Sequence, residues 1–80
     1  MSATVEDEIR VTLSVSGPRY VSPDAEFAVW SATLGEERDG EPVTLTGPLG
    51  HVTPGDQLVC TGAYAEHPRH GVQFVVASFH

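Results

Sequence analysis

At 80 residues the chain makes one domain with one modest core, since a chain this short buries only about 60% of its unfolded surface. Apolar residues are 40% of the composition, too many for a disordered tail, and the single cysteine, Cys60, excludes an internal disulfide. The net charge of −7, with four basic residues that are all arginine, argues against a phosphate-tracking surface, because phosphate affinity rests on Lys and Arg displacing counterions.

Residues 1–7 lack periodicity and read as a flexible acidic N-terminal tail, which leaves 8–80 as the domain. From Ile9 the pattern is strict. Ile9, Val11, Leu13 and Val15 alternate with Arg10, Thr12, Ser14 and Ser16, which predicts a half-buried first strand ended by Gly17-Pro18. Ser22-Pro23-Asp24 marks a second turn. Residues 26–34 form a second strand with weaker alternation: Phe27 and Val29 take one side, and Ala28, Trp30, Ala32 and Leu34 the other. The acidic Gly35–Glu41 stretch contains Asp39-Gly40, a hairpin signal. A third strand follows over Pro42–Thr46.

Gly47-Pro48-Leu49-Gly50 and Thr53-Pro54-Gly55-Asp56 bracket a segment too short and too broken for a helix. A fourth strand runs from Gln57 to about Ala65, and Val72–Phe79 is the fifth, across the His67-Pro68-Arg69-His70-Gly71 loop. No amphipathic helical stretch and no internal repeat occur. Five short strands predict an all-β fold, a small five-stranded Greek-key barrel with little or no helix, OB-like (oligonucleotide/oligosaccharide-binding) or SH3-like. The long first strand, the tight hairpin between strands two and three and the connector before strand four favour OB. Closure removes the exposed edges that a sheet this small would otherwise have to protect.

The charge is unevenly spread. Seven of the eleven acids lie in Glu6-Asp7-Glu8 and in Glu36, Glu37, Asp39 and Glu41; the other four face three arginines, Arg10, Arg19 and Arg69. No apolar run approaches the ~18 residues of a membrane span, and the N-terminus is acidic where a secretory signal would be basic. The expectation is a bacterial cytoplasmic protein with no membrane partner.

Several pieces in order carry a family resemblance. They are Phe27-Ala28-Val29, Val43-Thr44-Leu45-Thr46-Gly47-Pro48-Leu49, Pro54-Gly55-Asp56-Gln57-Leu58, Gly62-Ala63-Tyr64, and His67-Pro68-Arg69-His70-Gly71-Val72-Gln73-Phe74. Together they resemble the N-terminal OB-like domain of RecD-like DNA helicases, the relatives of the exodeoxyribonuclease V alpha chain. The match spans about residues 9–79. Glu26 departs from it, standing where that family has glycine. The resemblance implies an accessory domain of an ATP-dependent 5′–3′ helicase in DNA repair and recombination. The chain itself has no Gly-x-x-x-x-Gly-Lys-Thr, so the motor would lie elsewhere and an enzyme in this chain is not expected.

Most of the motif residues read as backbone devices. Pro54-Gly55 fits a type II turn and Gly62 a bulge or barrel corner, with Gly47 and Gly71 backbone devices as well. Asp56 fits a local amide cap. His67-Pro68 fixes a turn, Gln73 belongs to the closing motif, and Phe74 is core. His67 and His70 with Cys60 lack a fourth metal ligand, so no metal and no cofactor are expected. Cys60 reads as a small core residue.

The nucleic-acid candidates are Arg19 and Tyr20 in the loop between the first two strands, Arg69 and His70 in the loop between the last two, and Trp30. OB domains stack bases on sheet aromatics between those loops. If Phe27 and Val29 face the core, Trp30 is on that surface; otherwise it packs against a hairpin. Two functions follow. One is docking onto other domains of a helicase or onto a partner protein, which the acidic charge favours. The other is weak binding of single-stranded DNA to guide it to the motor.

Overall fold

The computed structural model describes residues 7–35, 40–69 and 71–80. Six strand segments occur: β1 (Asp7–Leu13), β2 (Tyr20–Val21), β3 (Ala28–Leu34), β4 (Pro42–Gly47), β5 (Gln57–His67) and β6 (Gly71–Phe79). Their order is β1-β5-β6-β4-β3-β2, and β1 also pairs with β3. That last pairing closes β1, β5, β6, β4 and β3 into a five-stranded barrel, with β2 as a short flap on β3. All pairings are antiparallel except β4–β6. No described residue is helical. The fold is the all-β barrel of OB type that the strand pattern predicts.

The alternation in β1 does what period 2 requires. Val11 and Leu13 point into the barrel, and Val11 pairs with both Leu34 and Leu58, which ties the two ends of the sheet together. Two boundaries differ from the sequence expectation. The strand begins at Asp7, and it stops at Leu13 rather than Ser16. The Ser14 amide still reaches the Ser31 carbonyl (2.9 Å), but the Gly17 amide then turns back to the Ser14 carbonyl (3.3 Å) and throws Val15 into solvent. Residues 1–6 of the expected tail lie outside the described residues.

In β3 the even positions are inside. Ala28, Trp30 and Ala32 are buried, while Phe27 is exposed. The expectation of Trp30 on a binding surface is therefore corrected: only 2% of it is exposed. Its indole Nε1–H donates to the Leu49 carbonyl at 3.0 Å. Leu49 is itself fully buried and belongs to the irregular 48–56 segment, so this segment plugs the barrel where an OB fold usually carries a helix. Residue pairs of this size contribute roughly 1.5–3 kcal/mol per buried side chain.

The long β5–β6 hairpin contains one irregularity. Thr61 pairs with Ser78 but Gly62 pairs with Val76, leaving Ala77 as the extra residue of a bulge. Gly62 is required there, because a Cβ would sit 1.9 Å from the Val75 carbonyl oxygen. The bulge reverses the side-chain parity of β6. Phe74 and Val76 are core before it, and Phe79 packs on the core after it. Beyond Gly62 the hairpin overhangs the barrel, and Tyr64 is half-exposed rather than enclosed, its ring edge-on to Phe74 at 5.0 Å.

Candidate binding face

The loop between β1 and β3 is built by hydrogen bonds rather than packing. The Arg19 amide donates to the Val29 carbonyl (2.8 Å) and the Ser22 amide to the Phe27 carbonyl (2.8 Å), which holds β2 on β3. The Phe27 amide donates to Ser22 Oγ (3.0 Å), the Glu26 amide to Asp24 Oδ1 (3.1 Å), and the Ser22 hydroxyl to the same carboxylate. The Ser22 hydroxyl first, then the Glu26 amide, hold the Asp24 carboxyl below its usual range. This turn fixes Tyr20 and Phe27 as neighbours on the outer surface, their rings 6.4 Å apart and tilted.

From those rings a row crosses the outer side of the sheet, exposed at Tyr20, Val75 and Ala63 and buried at Thr46. Tyr20 pairs with Val29, Val29 with Thr46, Thr46 with Val75, and Val75 with Ala63. Beside it lie two further pairs, Ser31 with Thr44 and Gln73 with Ala65, which flank the cavity between β4 and β6. None of these positions carries an acidic or basic side chain charged at neutral pH. In a chain of net charge −7, the outer face of β3, β4 and β6 is neutral, made of hydroxyls, one amide and small apolar groups.

A cavity of about 440 Å³ opens on this face, lined by Arg19, Tyr20, Val29, Thr44 and Gln73. It brings together two of the sequence candidates, Arg19 and Tyr20, both exposed, with the motif residue Gln73. Arg69 is exposed on the β5–β6 turn and does not line it. His70 lies outside the described residues, as do Glu36, Glu37 and Asp39. Trp30 is on the opposite side of the sheet, inside. Sequence reasoning missed Phe27, Val29 and Val75 as surface residues; the signal was the Ser22-Pro23-Asp24 turn, which sets the hairpin and hence the parity of β3. A larger cavity, about 510 Å³, lies across β1 and β3 beside Thr12, Ser14, Val15, Ser31, Thr33 and Gln57, and unlike the first it has no charged residue in its lining.

The remaining motif residues support the scaffold. Gly55 adopts φ 84°, as the Pro54-Gly55 turn requires, and the Thr53 amide donates to Asp56 Oδ2 at 3.0 Å, the expected cap. Gly47 lies against β6, where a Cβ would meet the Val76 carbonyl oxygen at 2.6 Å. Gly71 and His67 are cross-strand partners closing the hairpin ahead of exposed Pro68. Cys60 is inside the barrel, and desolvation pushes its thiol up to about 11, which leaves it protonated and unreactive at neutral pH.

The ordered motifs from Pro54 to Phe74 thus lie on a closed five-stranded barrel with a plug in place of the helix. Residues 8–80 match the OB-fold domain of the ATP-dependent DNA helicase YrrC. The chain belongs to this family. It is an accessory domain of a RecD-like helicase, as the motif resemblance implies. No curated protein and no solved structure matches the chain significantly.

Proposed function

We propose that this domain is a non-catalytic docking module, which uses its neutral outer face to seat against another domain of the helicase or against a partner protein. The observation that carries the reading is the contrast in charge. Eleven acids and four arginines leave the Tyr20–Val29–Thr46–Val75 row and the pairs beside it without one Asp, Glu, Lys, Arg or His. Neutral hydroxyl and apolar surface is inexpensive to desolvate against protein, whereas a DNA track needs cations along its length. The acidic remainder steers a basic partner towards the domain and keeps it off bulk DNA. The setting proposed is DNA repair and recombination in the bacterial cytoplasm.

A second reading has one specific observation in its favour. Arg19 and exposed Tyr20 line the same cavity, a cation beside a stacking surface. One base on Tyr20 is worth roughly 1–3 kcal/mol, which supports weak capture of single-stranded DNA and no more. The experiment that decides is titration of this chain into a RecD-like helicase motor lacking its leading domain, followed by calorimetry. Docking predicts saturable association that Tyr20→Glu abolishes. No association with the motor, together with saturable oligothymidine binding, would overturn docking in favour of the strand-guiding role.

A further inference from the structure

β4 and β6 run parallel, yet they pair only at Leu45–Phe74 and Thr46–Val75. Both strands begin three residues earlier, at Pro42 and at Gly71. On their far sides these leading residues are fully paired, Pro42–Thr44 with β3 and Gly71–Gln73 with β5. Among the described residues nothing pairs with the two edges that face each other. The strands therefore part as a wedge, with Thr44 and Gln73 at its apex beside the outer cavity.

The walls of the wedge are unequal. Pro42 has no N–H and blunts the β4 edge. The β6 edge carries Gly71, Val72 and Gln73, with no proline, lysine or bulge to protect it. Val72 is 59% exposed, and Tyr64, on the same face of the hairpin, is 46% exposed. Carboxylates stand on both sides: Glu66 is the cross-strand partner of Val72, and exposed Glu41 precedes Pro42.

We propose that the Gly71–Gln73 edge of β6 accepts an extended peptide segment carrying apolar and basic side chains, which adds to the sheet as a further strand. This rests on the docking reading and names its mode. Backbone hydrogen bonds to the open edge supply affinity, Val72 and Tyr64 receive the apolar side chains, and Glu66 and Glu41 select the basic ones. The overall charge of −7 disfavours a second copy of the chain as occupant.

The test uses a synthetic ten-residue peptide of lysine, valine and threonine, and the same peptide with alternate backbone amides N-methylated, followed by amide chemical shifts and hydrogen exchange. Strand addition predicts shifts and slowed exchange centred on Gly71–Gln73. It also predicts affinity about tenfold weaker for the N-methylated peptide, which lacks alternate backbone donors, and for Val72→Lys, which replaces an exposed apolar contact with a cation facing a basic peptide. Equal binding of the N-methylated peptide, with shifts at Tyr20 and Val29 instead, would refute strand addition and leave docking by the sheet face intact. Unmoved amides with the peptide, protection of Gly71–Gln73 by self-association alone, or by oligothymidine alone, would each refute it as well. The helicase-motor titration judges the docking reading separately.

Discussion

The interior around Trp30 and the overhang of the β5–β6 hairpin hold similar kinds of side chain and treat them in opposite ways. Inside, Trp30, Leu45, Leu49 and Phe74 are almost wholly withdrawn from water. The one polar atom of the tryptophan is satisfied by the Leu49 carbonyl. On the overhang and the adjoining outer face, Tyr64, Val72, Val75 and Tyr20 stay about half in solvent. An 80-residue barrel has little apolar surface to spare, so side chains left outside the core contribute little to folding and are available for contact. The first region holds the fold and the second is where a partner is met.

The largest effect belongs to the plug. Leu49→Ala empties a fully buried position that no neighbouring strand can fill, and a loss of about 2–5 kcal/mol is expected in urea unfolding. A loss near zero would mean that the 48–56 segment lies on the barrel without sealing it.

How far that plug was legible shows where sequence reasoning stops. The strict alternation of Ile9–Leu13 announces its inward face, and Pro54-Gly55-Asp56 announces a turn with its own cap. Gly62 signals a bulge because a glycine inside a strand needs a reason. By contrast, residues 26–34 are apolar on both parities, so the direction of Trp30 depends on the hairpin that precedes them and on a carbonyl 19 residues away. β2 has two residues, too few to show any period. The bulge residue Ala77 also exchanges the faces of β6, so the parity read from Val72–Val76 fails at Phe79. For the candidate site, Arg19 and Tyr20 were readable from loop position, while Phe27, Val29 and Val75 required the register.

A milder break in the same region is Trp30→Phe. It keeps the ring in the core but leaves the Leu49 carbonyl without its donor, at a cost of about 1–3 kcal/mol by urea unfolding. A neutral result would show that water replaces the indole and that the plug is open.

The smallest effect reads the sealing directly. Cys60 has a thiol raised from 9.0 to about 11 by burial, so the folded state resists its ionisation. The unfolded chain deprotonates first, and the stabilisation, complete below pH 9, is lost as pH rises through about 11. The urea midpoint of the native chain is expected to fall across that interval more than that of Cys60→Ala. Parallel curves would place Cys60 in contact with water.

What the outer face binds decides whether the exposed region meets protein or single-stranded DNA. The direct measurement is anisotropy of a labelled short oligothymidine titrated with this chain at low salt, repeated at higher salt; buried Trp30 reports folding and cannot serve as the probe. No saturable rise is predicted, because Arg19 is the single cation lining the cavity of this face. A saturable rise that weakens with salt, with a logarithmic slope of roughly −0.7 per phosphate neutralised, would contradict the docking account and make the face a single-strand guide.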